Sequence, residues 1–552
     1  NMEVDNQTYT ESSRTRTLKE IWESGKFQAS FPVKIASENY IIFIISGLIF
    51  RHNIRTGKVR LLSTDIKLDQ YRPRINWTYA EGTVVLFDWP DYPVLIKGET
   101  VTRSSPTHTI GGAAAPQVPV AYNGTYNSNR LFISTLGVEL TAGDPTGNKL
   151  TPEAPITFTE IFTPSSPFVN QSFSLPVEEA QYPITAMGFL QELDSGTGIG
   201  PMFVATEKKV YFYNTNQPRV NWEQGQFSGL LLANSGIAGA RSFVNVNSDL
   251  IFLSGEGKLH ALSTARSDAK KWANVPISRE VHNYLKFWDK ELIQYAVLGY
   301  FDNFIFISAN PYRVQALDRS QRPVSDYAHG GFVVLELEAM ASFLGQGAPV
   351  WDGLWTGINP MEIFNIDNRC FVVSKDGEQP NGSNVLYEVM KDETYDMVRG
   401  NKRRIKSVVY TKSYNGGEGG EYAQKIENSI VLHVGKLGGV VDLLIEKLPS
   451  HSHEWLEVVR WRHDAPIECC ELPEDAFLNG LSPHLFKQLI FGTGDSDGCN
   501  PITLETYESF REIQYRITIE VTQNANSDYP CAVMWSDKVG TVWLADLEMI
   551  SE

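Results

Sequence analysis

The chain has 552 residues, of which 42% are hydrophobic and 11% aromatic, a composition that excludes a disordered polypeptide and predicts two or more folded domains. Its formal net charge of −17 disfavours a surface that grips nucleic acid, because such surfaces are basic. The same charge is compatible with a wall past which DNA moves, since acidic groups repel phosphates.

The first 30 residues are predicted to form a polar N-terminal arm. No basic stretch followed by an apolar one is present there, so we expect no secretory signal. The chain begins with Asn1 rather than Met, as a fragment or a trimmed product does. The longest apolar run, near Ile41–Phe50, has about half the length that a bilayer requires, so we expect no membrane contact. The five cysteines include no CxxC pair, which favours reduced thiols over a zinc site.

A hairpin recurs along residues 31–395. Each copy is a run of β-branched and aromatic residues, a turn that contains Gly or Asp, and a second apolar run, as in Ile41–Ile45, Ser46–Gly47 and Leu48–Phe50. The cores of the copies are centred at Phe43, Leu86, Phe132, Val204, Phe252, Phe306 and Val372. Their spacing, roughly 43 to 72 residues, brackets the repeat of a β-propeller. We therefore predict an all-β chain with a propeller of about six to seven blades, each burying its two apolar faces against its neighbours.

Two wide gaps between these hairpins hold polar insertions. Thr141–Pro176 is rich in Pro, Thr and Ser, and Asn310–Tyr327 is rich in Arg, Gln and Pro. Both are predicted to be long loops that project from a blade.

Helical periodicity is confined to two short segments. One helix is predicted to begin after Pro276 with Ser278 as its N-cap, and a second one near Leu335–Leu344. The apolar face of the first helix would consist of Val281, Tyr284, Leu285 and Trp288.

Residues 396–552 are predicted to form a separate β-sandwich-like platform domain. The charged segment Gly400–Arg404 and the glycine-rich loop Tyr414–Gly420 precede a series of strands. In the last strand Tyr515, Ile517, Ile519 and Val521 alternate with polar residues, which is typical of a strand with one buried face. The predicted strands are Ser429–Val434, Val440–Glu446, Trp455–Trp461 and Ile513–Val521.

Several short motifs resemble catalytic or ligand-binding sequences but lack the required context. Gly196–Gly200 precedes a strand rather than a helix, so it is predicted to be a turn. Asp495–Gly498 begins like a calcium loop, yet Thr506 replaces the expected glutamate. The letters of a nucleophile elbow also match there, but no His follows. His451–Glu454 has no nearby Cys, so it is predicted to be a surface loop between strands. Ser374–Gly377 lacks the Thr-Trp of an Asp-box, so it is predicted to be a structural hairpin turn. We predict no catalytic, cofactor-binding or metal-binding residues.

A glycoside hydrolase would need a carboxylate pair near a tryptophan at the central mouth of the propeller. The pairings that fit are Asp88 beside Trp89 and Asp352 beside Trp351. The tryptophans could also form a sugar-binding platform, although packing between blades is the commoner role of such residues. Those considered are Trp77, Trp89, Trp351 and Trp355. An interaction propeller of the WD type is less favoured, because no Gly-His precedes a Trp-Asp pair at the repeat spacing.

The order of the strand and turn sequences carries a resemblance over about residues 30–395. The sequences are Arg72–Arg74, Gly82–Phe87, Tyr92–Gly98, Gly111–Pro119, Asn129–Ser134, Phe252–Gly257, Pro276–Val281 and Tyr300–Phe306. This succession resembles the tail nozzle proteins, also called tail tubular or stabilisation proteins, of short-tailed bacteriophages. The C-terminal β region is more weakly similar.

The resemblance implies a structural virion protein without enzymatic activity or cofactors. Members of this family look like propellers with added β platform domains, and six copies extend the DNA exit channel below the portal and its adaptor ring. The implied partners are further copies of the chain in a hexamer, adaptor or portal-proximal tail proteins, and tail fibres or other distal proteins. Genomic DNA would pass without specific binding, and the implied location is the virion tail, assembled in the host cytoplasm.

Three segments would contact neighbours or the channel in such a particle: Thr141–Pro176, Arg313–Arg322 and Lys402–Arg404. Ring symmetry makes each subunit interface heterologous and closing. The alternative function is a propeller glycan-binding protein or glycoside hydrolase that serves as a receptor-binding tail component.

Overall fold

A computed structural model of the chain separates into two compact units, residues 1–390 and residues 391–552. Each unit is described by itself. The structure describes residues 3–4, 7–11, 14–35, 38–80, 82–104, 109–110, 113–114, 118, 120–127, 130–135, 139–143, 173–174, 183–191, 199–213, 230–246, 248–263, 276–279, 281, 285, 290–337, 350–376, 382–390, 395–398, 401–411, 413, 425–434, 440–463, 501–522 and 544–551.

The N-terminal region is folded onto the first unit. It contains strands β1 (Glu3–Val4), β2 (Thr8–Glu11) and β3 (Arg14–Thr17) and helix α1 (Leu18–Ser24). A capping box begins the helix, in which Thr17 and Glu20 each satisfy the other's backbone N–H. The arm is polar in composition, yet Leu18, Ile21 and Trp22 are buried.

Four-stranded antiparallel sheets make up most of the first unit, and each is a blade whose strands follow in chain order from the innermost outward. Blade 1 consists of β4 (Phe27–Ile35), β5 (Glu38–Ile45), β6 (Leu48–Asn53) and β7 (Lys58–Leu61), with β1 added in parallel at its outer edge. Blade 2 consists of β8 (Asn76–Ala80), β9 (Thr83–Phe87), β10 (Val94–Lys97) and β11 (Thr100–Arg103), and a small hairpin of β12 (Thr109–Ile110) and β13 (Ala113–Ala114) follows. Blade 3 consists of β14 (Asn123–Asn127), β15 (Arg130–Thr135), β16 (Glu139–Gly143) and β17 (Phe173–Ser174).

The remaining blades vary in strand number. Blade 4 consists of β18 (Ile184–Gln191), β19 (Ile199–Thr206), β20 (Val210–Tyr213) and β21 (Leu230–Ala233), and blade 5 of β22 (Phe243–Val246), β23 (Asp249–Leu253) and β24 (Leu259–Ala261). Blade 6 consists of β25 (Leu298–Phe301), β26 (Phe304–Leu317), β27 (Pro323–Glu336) and β28 (Val350–Trp355), and a 3-10 helix (Ile293–Tyr295) precedes it. Blade 7 consists of β29 (Pro360–Ile366), β30 (Arg369–Asp376) and β31 (Ser383–Val389).

The seven hairpin cores identified in the sequence each lie on the second strand of a different blade. All seven side chains are buried, with at most 1% of each exposed. The second strand is covered on both faces by the two neighbouring blades, so it becomes a continuous apolar run. This position explains why the repeat is readable from the sequence, and the prediction of an all-β propeller is confirmed.

Seven buried hydrophobic clusters join consecutive blades, and the last of them closes the ring. Phe31 and Leu86 lie in the cluster between blades 1 and 2, and Phe306 and Val372 in the one between blades 6 and 7. Between blades 7 and 1, Met361 and Val373 pack with Phe43 and with the side chains of α1. Strand β29 of blade 7 also lies beside β4 of blade 1. The described sheets therefore form a closed ring of seven blades.

The prediction of a loop at Asn310–Tyr327 is wrong. Strands β26 and β27 continue as a paired hairpin for 14 residues each, from Phe304 opposite Glu336 to Leu317 opposite Pro323. Val314, Ala316 and Ala328 are buried on one face of the extension, which the Arg, Gln and Pro content of the segment concealed. We call residues 310–330 the strap.

The described residues of the second unit form two antiparallel sheets, which a sandwich requires. The first has the order β32 (Tyr395–Val398), β33 (Asn401–Tyr410), β38 (Ile513–Thr522), β35 (Val440–Pro449), β36 (Leu456–His463). The second has the order β37 (Pro501–Phe510), β34 (Lys425–Val434), β39 (Leu544–Ser551). Tyr515, Ile517 and Ile519 are buried as the alternation predicted, and the four predicted strands coincide with β34, β35, β36 and β38.

The two predicted helices fall largely outside the described residues. Around the first, Val281 and Leu285 are buried in the cluster between blades 5 and 6, and the N–H of Leu285 donates to the carbonyl of Val281. At the second, Leu335 and Glu336 belong to β27 instead. Among the helices of the described part, none has the length and apolar character to cross a membrane.

Candidate functional site

The strap leaves blade 6 and ends against blade 1. At its tip, Arg319 donates to the carbonyls of Ser46 and Leu68 at 3.3 and 3.2 Å and pairs with Glu11 at 2.9 Å. The hydroxyl of Ser46 in turn donates to the carbonyl of Leu317 at 2.9 Å. The strap therefore bridges blades that are not neighbours in sequence order, and it fixes the first blade to the sixth.

A buried carboxylate lies at the centre of the strap. Asp326 is fully buried and accepts hydrogen bonds from the N–H of Phe27 at 3.0 Å and from Arg74 at 2.9 Å. The ammonium of Lys375 lies 3.7 Å away. Burial alone would raise the pKa of Asp326, but Arg74 and Lys375 outweigh it and lower that pKa. Groups from blades 1 and 7, and from the connection between blades 1 and 2, thus converge on one side chain of blade 6.

Two lysines complete this cluster. Lys375 is 1% exposed and donates to the side-chain oxygen of Asn384 at 2.9 Å, while burial lowers its pKa. Lys26 donates to the carbonyl of Tyr71 at 2.8 Å, and burial lowers its pKa to about 8 even though Asp326 opposes the shift. Asn384 donates to the carbonyl of Trp22 at 2.8 Å, so the cluster is continuous with the end of α1.

A second ion pair crosses the hub, the centre of the ring where the innermost strands meet. Arg241, just before β22 of blade 5, donates to the carboxylate of Glu362 on β29 of blade 7. The guanidinium of Arg241 also lies 5.3 Å from the ring centre of Trp77, on β8 of blade 2. Burial raises the pKa of Glu362, and Arg241 opposes that shift. Because side chains of blades 2, 5 and 7 meet here, the hub is filled at this level.

A histidine, His329, also lies in this buried region. The Nδ1 atom of His329 lies 2.9 Å from the carbonyl oxygen of Pro360, and the ring is fully buried. Burial lowers the pKa of His329 to about 4. The described surroundings of the strap therefore combine paired charges with an uncharged histidine. Such an arrangement is suited to holding blades in register rather than to moving protons.

Two exposed aromatic rings lie close to the guanidinium of Arg72. The guanidinium of Arg72 lies 5.0 Å from the ring centre of Trp89 and 5.5 Å from that of Tyr122. Trp89 is 37% exposed and Tyr122 39% exposed. Burial, followed by the neighbouring Tyr327 and Tyr122, raises the pKa of Tyr295 to about 12. This cluster was not predicted as a unit, because its three members lie on separate loops.

The two carboxylate–tryptophan pairings lie on different blades. Asp88 is fully buried at the end of β9 and pairs with Arg103 at 2.9 Å, and burial raises its pKa. Asp352 lies on β28, the outermost strand of blade 6, and accepts a hydrogen bond from the indole of Trp355 at 2.9 Å. An outermost strand is remote from the hub, so Asp352 is not at the central mouth that the hydrolase hypothesis requires.

The remaining motifs have structural positions or fall outside the described residues. His451 and His453 lie in the exposed turn between β35 and β36, as predicted. The prediction of a turn at Ser374–Gly377 is wrong for its first three residues, because Ser374–Asp376 form the end of β30 and Lys375 joins the buried cluster. The segments 196–198, 377–381 and 495–498 lie outside the described residues. So do most of Thr141–Pro176 and every cysteine except Cys370, which is buried and free. Among the described residues no group of three or more potential ligands could hold a metal ion.

Comparison with known proteins identifies no family. No family model matches the chain, and no curated protein matches it.

Solved structures of propeller proteins do match at low similarity. The β-propeller domain of Cps50 (Swd1) from Myceliophteria thermophila is 12% identical, with a TM-score of 0.34, and the match covers 66% of this chain and 96% of that one. YCF48 bound to a D1 peptide is 9% identical, with a TM-score of 0.31 and coverages of 67% and 93%.

A third match is the extracellular domain of the putative hybrid two-component system BT4673 from B. thetaiotaomicron. It is 12% identical with a TM-score of 0.32, and the match covers 62% of this chain but only 44% of that domain. This chain therefore spans less than half the length of that domain. The blade assignment rests on the sheets and clusters of this chain rather than on these scores.

Proposed function

We propose that this chain is a structural subunit of a virion tail, the nozzle of a short-tailed bacteriophage, which forms the distal part of the channel for DNA ejection. The observation that carries the proposal is the ordered succession of strand and turn sequences between Arg72 and Phe306. The partners proposed are further copies in a hexameric ring, adaptor or portal-proximal proteins, and distal tail proteins such as fibres. DNA would pass without specific binding, and no enzymatic activity is proposed.

The internal bonding of the propeller supports a mechanical role. Asp326, Arg319 and the ion pair of Arg241 with Glu362 tie the strap and the inner strands together across non-adjacent blades. Buried, fully bonded polar networks make a structure rigid and specific. A subunit that withstands the passage of DNA under load needs this kind of stiffness.

The filled hub bears on where DNA would pass. Side chains from blades 2, 5 and 7 meet across the ring at Trp77, Arg241 and Glu362, so described residues occupy the centre of the ring at that level. In a nozzle, the duplex would therefore pass between subunits, along a channel bounded by the outer surfaces of several copies. The net charge of −17 would keep such a wall from adsorbing phosphates.

Electron microscopy of the purified chain, alone and mixed with a lysate of infected host cells, tests this proposal. Rings of several copies, or density at the tip of phage tails that an antibody to the chain decorates, are the expected result. A chain that stays monomeric in both conditions and that mass spectrometry does not find in purified virions would overturn it.

The alternative, a glycan-binding or glycoside hydrolase propeller, is favoured by the exposed cluster of Arg72, Trp89 and Tyr122. Hydrolysis would need a carboxylate pair, and Asp88 and Asp352 lie on different blades. Release of reducing ends from a polysaccharide panel, abolished in Asp352→Asn, would establish the hydrolase. Binding without turnover would leave the glycan-binding version.

A further inference from the structure

The loops that carry the exposed rings of Trp89 and Tyr122 are anchored before any ligand binds. The buried carboxylate of Asp88 accepts the N–H of Asp69 at 3.0 Å, and its carbonyl accepts the N–H of Asp91 at 2.8 Å. The side-chain amide of Asn76 donates to the carbonyl of Tyr122 at 3.0 Å. Rings held in this way lose little freedom when they contact a partner, so more of the contact energy is available as affinity.

The guanidinium of Arg72 lacks a hydrogen-bond acceptor. It forms no hydrogen bond or ion pair with a described residue, and its Nη2 atom is buried without a partner. Among the carboxylates of the adjoining loops, Asp88 pairs with Arg103 and Asp69 accepts the N–H of Tyr71, while Asp91 forms no hydrogen bond or ion pair with Arg72. Buried donors without a partner are rare in native proteins. This one is an uncompensated cation beside two exposed aromatic faces.

We propose that Arg72, Trp89 and Tyr122 form a binding site for an acidic saccharide. The apolar face of a pyranose ring packs on Trp89 or Tyr122, and the carboxylate of the sugar accepts hydrogen bonds from Arg72 after a small rotation of the guanidinium. The inference is independent of the nozzle role, since a ring can assemble whether or not its subunits bind sugars.

Two other classes of ligand fit these residues less well. A peptide strand would need free backbone groups, but the N–H groups of Tyr71, Asp91 and Tyr122 and the carbonyls of Tyr71 and Tyr122 are already bonded. Single-stranded nucleic acid would stack its bases on the rings, but it brings a phosphate at every residue to a chain of net charge −17. An acidic saccharide instead supplies a single carboxylate, which is the acceptor that the one unpaired guanidinium of Arg72 requires.

Isothermal titration of the full chain tests the site. The acidic probes are tetragalacturonate, a hyaluronan tetrasaccharide and sialyllactose. The comparison probes are a neutral galactose tetrasaccharide and an oligothymidylate. We expect at least one acidic probe to bind at least tenfold more tightly than the neutral one. Arg72→Gln and Trp89→Ala should each weaken that binding at least tenfold. Tyr79→Ala removes another exposed ring, 43% exposed and on β8, and should leave it unchanged.

Folding and assembly controls keep the outcome decisive. Circular dichroism and the thermal midpoint check that each variant is folded, and Arg72→Lys, which keeps the charge but not the planar group, should bind with intermediate affinity. Binding of no acidic probe, binding that Arg72→Gln does not weaken, or tighter binding of oligothymidylate than of any saccharide overturns the inference. Ring formation, measured on the same Arg72→Gln sample, reports on the nozzle proposal separately.

Discussion

Charged side chains inside this propeller are stabilised by partners far away in sequence. Arg74 and Asp326 are separated by 252 positions, and Arg241 and Glu362 by 121. The local sequence does not distinguish these four residues from ordinary surface charges. An aspartate in a segment rich in Arg and Gln, for example, is typical of a solvated loop. The exact set of partners depends on how the seven blades are arranged in space, so the ionic cluster could not be predicted.

Replacing Asp326 by Asn should destabilise the propeller by about 3–5 kcal/mol, because it leaves the charges of Arg74 and Lys375 uncompensated in a buried position. Chemical denaturation followed by tryptophan fluorescence measures the change. Glu291→Gln is the control, since its pair with Arg313 is exposed on both sides and should contribute within about 0.5 kcal/mol. Equal effects of the two substitutions would contradict the assignment of Asp326 as the centre of the cluster.

Three buried imidazoles predict a loss of stability in mild acid. Burial lowers the pKa of His52, His260 and His329 to about 4, below the value of about 6.5 in an unfolded chain. Between these values the unfolded chain binds more protons, so stability is complete above pH ~6.5 and falls as the pH falls towards ~4. Each imidazole should cost up to about 2 kcal/mol at pH ~5.

Denaturation at pH 7 and pH 5 measures this loss. His260 stacks on Phe252 with the ring centres 5.6 Å apart, so His260→Phe keeps an aromatic ring there and should reduce the loss between the two pH values. His453→Gln, in the exposed turn of the second unit, should retain the wild-type dependence. The interpretation fails if His260→Phe is as sensitive to acid as the parent chain.

Individual elements differ in how well the sequence predicts them. The sequence predicts the second strands of the blades, such as β5 and β23, directly, because burial on both faces makes them continuous apolar runs. The strap is not predicted in this way, because beyond Pro311 and His329 only one face is covered, and the buried residues of that face, such as Val314 and Ala328, are separated by polar ones. Helix α1 was missed for a similar reason, since a seven-residue element offers too few turns for its buried face to produce a periodic signal.

The hairpin turn between β5 and β6 should be intolerant of a side chain. Gly47 has φ +76°, and an added Cβ would lie 2.2 Å from the carbonyl oxygen of Leu68 and 2.6 Å from Arg319. Gly47→Ala therefore combines backbone strain with a clash against the anchor of the strap, and it should cost at least about 2–3 kcal/mol in unfolding free energy.

Gly82→Ala provides the matched control for this turn. Gly82 has φ +77°, but no atom lies within 4 Å of the added Cβ. It should cost only the backbone strain, about 1–2 kcal/mol. Thermal denaturation of both variants separates the two contributions. A Gly47 variant no less stable than the Gly82 variant would argue against the observed approach of Leu68 and Arg319.

At the scale of the whole molecule, the described strands close the ring without an exchange of a strand between the first and last blades. Blade 7 ends with β31, and blade 1 contains only strands from the N-terminal 61 residues. The seam is instead covered by α1, whose Leu18, Ile21 and Trp22 pack in the cluster shared by the two blades. The ring of Trp22 contacts that of Phe43 edge to face, with the ring centres 4.4 Å apart. The side-chain amide of Asn384, on blade 7, donates to the carbonyl of Trp22.

Deleting residues 1–24 should therefore open the ring at one place rather than weaken it everywhere. The loss of four buried apolar side chains, those of Tyr9, Leu18, Ile21 and Trp22, would cost roughly 5 kcal/mol or more at the seam. Hydrogen exchange followed by mass spectrometry should show faster exchange in β4, β29 and β30, while β19 and β23 on the far side of the ring keep their protection. Lys19→Ala with Glu23→Ala removes only an exposed ion pair of α1 and should change neither region. Faster exchange spread evenly over all blades would mean that loss of the N-terminal segment destabilises the whole ring cooperatively rather than opening it at the seam. Unchanged exchange at β4 and β29 would mean that the hydrophobic contacts between blades 7 and 1, together with the strap, are sufficient to close it.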